Sequence, residues 1–215
     1  MAVKKQAVAA TGSRQAAYSA RNRARLIKDA QEVLAEIGPT ATIEQIAAHA
    51  EVSPTTVYKY FENKDQLFIE ALGEAWVGFL IWSNQFKAPG DRLERTLDSG
   101  RKLFWAGQTH PQFASMLHNC LNDMAEFLIH SDNGEAKKVF HELAKGGELK
   151  LDDFDKRFTL WENIYTGILK SVFVTEELSP TEANEAFGIG LSIWGISEAK
   201  AKKLISRPLA FGPTE

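Results

Sequence analysis

The chain has 215 residues, of which 44% are apolar and 25% charged, and its net charge is −3. That is ordinary for a soluble globular protein of one domain, or of a small domain followed by a larger one. A single cysteine, Cys120, excludes an internal disulfide and fits a reducing cytoplasm; no apolar run reaches the length of a bilayer span, and Lys4 and Lys5 lack the apolar segment of a secretory signal.

The charge is unevenly spread. Residues 1–28 hold Lys4, Lys5, Arg14, Arg21, Arg23, Arg25 and Lys28 and no acid. Residues 1–64 carry nine Lys/Arg against six Asp/Glu, or +3, which leaves −6 to the remainder. A basic head on an acidic body points to a polyanion met by the head alone. Arg21, Arg23 and Arg25 open a helix, where the macrodipole disfavours cations and nearby phosphates would not.

In chain order, residues 1–20 are rich in Ala, Gly, Ser and Lys and are expected to form a flexible basic tail. The first helix is predicted over about 21–37, with Leu26, Ile27, Ala30, Val33, Leu34 and Ile37 on its buried face. Gly38-Pro39 ends it. Thr42 to Gln45 is a capping box that opens a second helix over 43–49, which buries Ile43, Ile46, Ala47 and Ala50. Ser53 as cap and Pro54 at the first helical position open a third, to Phe61. Asn63 with Gln66 caps a long fourth helix ending near Phe86. Further helical patterns lie at 91–107, 111–130, 134–145, 152–174 and 180–205, separated by His110-Pro111, Asp132-Asn133-Gly134, Gly146-Gly147 and Ser179-Pro180. No strand alternation and no internal repeat is visible. The expectation is an all-α chain of about nine helices.

The second and third helices have the packing logic of a helix-turn-helix. Ala47 is small where they touch, and Val57 plugs the angle between them, with Ile46, Ala50, Val52 and Phe61 completing a small core. Thr55, Thr56, Tyr58, Lys59 and Tyr60 are left on or beside the outer face. Hydroxyls and an amine suit base edges and phosphates, and stiff phenols suit phosphates. Backbone N–H groups at the starts of the second and fourth helices, near Thr42 and Lys64, are anion sites.

The run Thr56-Val57-Tyr58-Lys59-Tyr60-Phe61, then Glu62-Asn63-Lys64-Asp65-Gln66-Leu67, resembles the DNA-binding domain of TetR-type transcriptional regulators. Upstream, Thr42-Ile43, Ile46-Ala47 and Val52-Ser53 agree with it. The resemblance covers roughly 50 residues. It implies that Thr42, Ser53, Thr55, Thr56, Tyr58, Lys59, Tyr60 and Lys64 contact DNA, and that Val57 and Phe61 lie in the core. Glu51 departs from the family, which usually has Gly in this turn. A left-handed backbone there costs a residue with a Cβ about 1 kcal/mol.

The resemblance implies that the rest of the chain binds a ligand and dimerises, and it divides the chain into a tail at 1–20, a DNA-binding domain at 21–68 and a ligand-binding and dimerisation domain at 69–215. The last two predicted helices are apolar and interrupted by Gly167, Gly188, Gly190 and Gly195, which suggests close backbone approach. They are the expected homodimer contact. The middle of the chain supplies Trp82, Phe104, Trp105, Met116, Met124, Phe127, Trp161 and Tyr165 for an aromatic pocket, with His118 and Asn119 as polar anchors.

His118 and Cys120 are two residues apart and face different sides of a helix, so no metal is expected. There is no Gly-rich phosphate loop and no nucleophile elbow, and Asp152-Asp153 reads as the acidic start of a helix. Neither an enzyme nor a cofactor is expected. The sequence reads as a cytoplasmic homodimeric repressor that binds a palindromic operator in double-stranded DNA and is released by a small hydrophobic or aromatic effector. The rivals are an activator or a non-specific DNA binder of the same fold, and a small-molecule-binding helical protein with an incidental helix-turn-helix.

Overall fold

The computed structural model describes the backbone of residues 2–131 and 133–213 and the side chains of 15–122 and 136–213. Every regular element among them is helical. In order they are α1 (Ala2–Ile37), α2 (Ile43–His49), α3 (Pro54–Val57), α4 (Lys64–Gln85), α5 (Arg92–Lys102), α6 (Ala106–Thr109), α7 (Pro111–Ser131), α8 (Asn133–Lys145), α9 (Phe154–Phe173), α10 (Pro180–Gly190) and α11 (Glu198–Ile205). Among the described residues, no helix is long and apolar enough to cross a membrane.

The local signals act where they stand. Gly38 takes a left-handed φ of 78° and its N–H bonds the Leu34 carbonyl at 3.0 Å, closing α1. Thr42 and Gln45 form the reciprocal box at the start of α2. Ser53 caps α3, with Pro54 at the first helical position. Asn63 accepts from the Gln66 N–H at 2.8 Å to open α4.

Several boundaries differ from expectation. α1 is continuous from Ala2, not from about 21; a stretch this rich in Ala favours helix, and its one Gly does not outweigh that. The side chains of residues 1–14, within the expected flexible tail, lie outside the described residues. Ile37, expected on the buried face, is exposed at the end of its helix. The third helix is α-helical only over Pro54–Val57; beyond it the N–H groups of Lys59 and Tyr60 bond three residues back, so the chain tightens into turns before Phe61. The pattern at 91–107 divides into α5, a 3₁₀ turn at Leu103–Trp105 and α6. The pattern at 180–205 breaks at Gly195, whose φ is 75°, and Ser197 caps a new helix. More helices than about nine result.

One continuous core joins head and body. α1 packs against α4 and α7, and α9 lies against α10. Polar bonds reinforce the junction. Asn119 of α7 donates to the Ala35 carbonyl of α1 at 2.8 Å, and Gln31 of α1 donates to the Ala71 carbonyl of α4 at 3.0 Å.

Candidate functional site

Two sites stand out, one at each end of α4. The first is the outer face of the head. Val57 and Phe61 are buried at 0% and 2% exposure, and Ile46, Ala47 and Ala50 close around them. With these pointing inward, Thr55, Tyr58 and Lys59 are exposed and, among the described residues, make no side-chain hydrogen bond. Tyr58 is 53% exposed, a large area for a phenol with no internal partner. These three groups are free to meet a ligand of matching chemistry.

The other expected head residues are committed to holding this face in place. Thr42 accepts from the Gln45 N–H at 3.3 Å. The Ser53 hydroxyl accepts from the Thr56 N–H at 3.2 Å and pairs with the Thr56 hydroxyl at 2.9 Å. The Tyr60 phenol oxygen accepts from Asn22 of α1 at 3.2 Å. The Lys64 ammonium donates to the carbonyls of Pro39 and Ala41 at 3.1 and 3.3 Å and lies over the Phe68 ring. It fastens the loop before α2.

The arginines of α1 are similarly engaged. Arg23 bonds Glu70 of α4 and stacks over Phe61, while Arg25 donates to the Ala50 carbonyl at the end of α2. Their placement is therefore explained within the head, and only Arg21 of the three stays exposed without such a bond. Glu51 sits in the turn with φ 55°, the left-handed backbone that its position requires. Asp29, Glu32 and His49 bring their ligand atoms within 4.8 Å of one another. The His49–Glu32 contact of 2.9 Å ties α2 to α1, and Asp29 pairs with Arg25 one turn before it within α1.

The second site is a cavity of about 580 Å³ in the body. Trp76, Phe79 and Leu80 of α4, Leu97 and Leu103, Phe140 of α8, Phe158, Trp161 and Tyr165 of α9, and Phe187 of α10 supply an apolar and aromatic lining. Its size and chemistry are those of small-molecule pockets. The Tyr165 hydroxyl donates to the Gly100 carbonyl at 2.9 Å, and desolvation pushes its pKa well above that of an ordinary phenol. Lys102 closes the far end of α4 by donating to the carbonyls of Ser83 and Phe86; burial lowers its pKa.

Of the expected pocket residues, Trp161 and Tyr165 line this cavity. Six described ones do not. Trp82 turns toward the C-terminal segment: its indole donates to the Pro213 carbonyl at 3.0 Å and its ring meets His110 and Phe211. Trp105 also meets Phe211. Phe104 is buried against Tyr165 and Phe187, behind the lining, and Met116 is core. His118 lies on the exposed side of α7, and its Nδ1 donates to the Phe173 carbonyl at 2.6 Å; Asn119 is spent on Ala35. The side chains of Met124 and Phe127 lie outside the described residues. Sequence reading passed over Phe140, Phe158, Phe187 and Glu162. Glu162 and Thr166 fall one turn apart beside Trp161 and Tyr165, and an acid inside an aromatic stripe was the available signal.

Asp152 and Asp153 stand before α9 as expected of an acidic helix start, but neither caps it by a side-chain bond; Asp152 pairs with Arg157 at 2.7 Å. Gly188 and Gly190 do sit at close approaches, to Ile205 and Ile164, both within this chain, whereas a Cβ on Gly167 would meet open space.

Residues 26–71 match the sequence model of bacterial regulatory proteins of the tetR family. No curated protein matches the chain. Among solved structures, RolR in complex with resorcinol superposes with a TM-score of 0.71 at 21% identity, covering 90% of this chain and 97% of RolR. SmeT, the repressor of the Stenotrophomonas maltophilia multidrug efflux pump SmeDEF, gives 0.64 at 16% identity over 80% of this chain and 89% of SmeT. A TetR-family regulator from Haemophilus influenzae gives 0.57 at 16% identity over 81% and 96%. At these identities the likeness is one of fold.

Proposed function

We propose, from the premise that residues 26–71 are the N-terminal domain of a tetR-family regulatory protein, that this chain is a homodimeric repressor released from DNA by a small hydrophobic or aromatic effector. The observation that carries this reading is the course of α4. It runs unbroken for 22 residues, about 33 Å at the helical rise. Its first turns hold the head, through Lys64, Leu67 and Phe68; its later turns put Trp76, Phe79 and Leu80 into the cavity wall. A molecule that fills the cavity bears directly on the element that positions the head.

DNA contact falls to Thr55, Tyr58 and Lys59, framed by Thr42, Ser53, Thr56, Tyr60 and Lys64. One such face reads few base pairs, so two copies related by a two-fold axis would read a palindrome with half-sites about one helical turn (roughly 34 Å) apart. The contact between copies falls to α9 and α10–α11. What supports this is the solvent side of α9 and α10, where Leu160 is 54% exposed and Ile189 77%. The effector shifts the equilibrium between DNA-fitting and non-fitting spacings by no more than its differential affinity for the two. Resorcinol in RolR, with which this chain shares its fold, supports a small aromatic effector.

The test is selection of DNA from a random-sequence pool by the purified full-length protein. The reading predicts enrichment of a two-fold symmetric sequence. Recovery of unenriched DNA, with affinity set by salt alone, would make it a non-specific binder instead.

A further inference from the structure

The cavity lining has chemistry beyond its aromatic walls. Glu162 sits on α9 between Trp161 and Tyr165 and one turn before Thr166, and all four line the cavity. Among the described residues, no hydrogen bond and no ion pair reaches the Glu162 carboxyl. Burial pushes that carboxyl above the usual carboxylate range, against the pull of Lys137. An acid partly stripped of water without an internal partner is stabilised by a donor from outside. The nearby phenol cannot serve, because Tyr165 already donates to Gly100.

A different wall supplies cations. Lys87 follows α4, and Arg92 and Arg95 stand in the first turns of α5. Arg95 donates to the Gly90 carbonyl, but Lys87 and Arg92 are exposed and, among the described residues, their side chains have neither hydrogen bond nor ion pair. They are not paired with Glu162. The cavity lining therefore combines an acceptor on α9 with cations on and before α5, among apolar and aromatic side chains.

We infer that this cavity takes a flat aromatic molecule bearing a hydroxyl donor at Glu162 and a carboxylate toward Arg92 and Lys87, that is, a hydroxyaryl carboxylic acid. The inference rests on reading the cavity as the effector site. A charge-assisted hydrogen bond at each end supplies selectivity over a molecule that has only one of the two groups.

The test is competition against anilinonaphthalene sulfonate, an apolar fluorescent probe, on the full-length protein, using para-hydroxycinnamate, cinnamate and phenol as competitors. The expected result is para-hydroxycinnamate binding about tenfold or more tighter than either of the others, the ratio that one such bond gives. Glu162→Gln should then abolish its advantage over cinnamate, and the Arg92→Ala, Lys87→Ala double variant its advantage over phenol. Equal displacement by all three, unchanged in both variants, overturns this assignment and leaves the cavity as an effector site for neutral aromatics. If the probe binds the cavity-filling variant Thr166→Trp as well as it binds the wild-type protein and no competitor displaces it, both the assignment and the effector-site reading fall.

Discussion

The head and the body solve opposite problems with the same kind of helix. In the head, the exposed groups of Thr55, Tyr58 and Lys59 come from five consecutive positions and face outward from a small buried plug, Val57 and Phe61. In the body, the candidate site is a concavity assembled from α4, α5, α7, α8, α9 and α10. A convex site made of near neighbours depends on local turns and caps. A concave one depends on how distant helices settle against each other. α4 belongs to both, and the bonds from Gln31 to Ala71 and from Asn119 to Ala35 hold α1 to it and to α7.

This contrast can be strained at graded points. The largest expected effect is at Phe61, which is 2% exposed beneath the Arg23 guanidinium. Phe61→Ala should cost about 3–5 kcal/mol in urea unfolding, the usual loss for a buried ring. A loss within experimental error would place Phe61 outside the core. Asn119→Ala should cost about 1–2 kcal/mol, because the half-buried Ala35 carbonyl loses its donor. If the junction transmits the effector, the same variant should weaken the effector's influence on DNA affinity more than either binding event alone; parallel titrations of each would reveal a variant that leaves the coupling intact.

Smaller effects sharpen the local picture. Glu51→Gly should raise stability by up to about 1 kcal/mol, since only the left-handed backbone strain is removed. A drop in melting temperature would mean that the glutamate side chain contributes something else. At Glu162 the sign runs from its raised carboxyl. The folded chain keeps that proton at a pH where the unfolded chain has released it. Its stabilising contribution is complete below the unfolded carboxylate range and is lost as pH rises through the higher folded value. Glu162→Gln should flatten this part of the stability profile between acidic and neutral pH. An unchanged profile in thermal melts would mean that the group is hydrated.

What the sequence made legible follows the same division. Gly38, the Thr42–Gln45 box, Ser53-Pro54 and Asn63–Gln66 each act within a few residues, and each appears as read. The left-handed turn at Glu51 was visible for the same reason. Aromatic spacing, by contrast, announces a buried face without saying what covers it. Trp161 and Tyr165 met the cavity, but Trp82 and Trp105 were claimed by Phe211 and Pro213, more than a hundred positions away. Lys64 and Arg23 show the same limit inside the head: a cation suited to phosphate finds a carbonyl or carboxylate of its own fold first.

The central claim is that the exposed face of Thr55, Tyr58 and Lys59 is the surface that meets DNA. The direct test is the affinity of the Tyr58→Ala, Lys59→Ala double variant for the DNA that the wild-type protein selects. Two lost contacts on each head predict a fall of about a hundredfold or more, with an unchanged melting temperature, because both side chains are exposed. Affinity retained within a few-fold, in a variant that is folded and dimeric, would contradict the account.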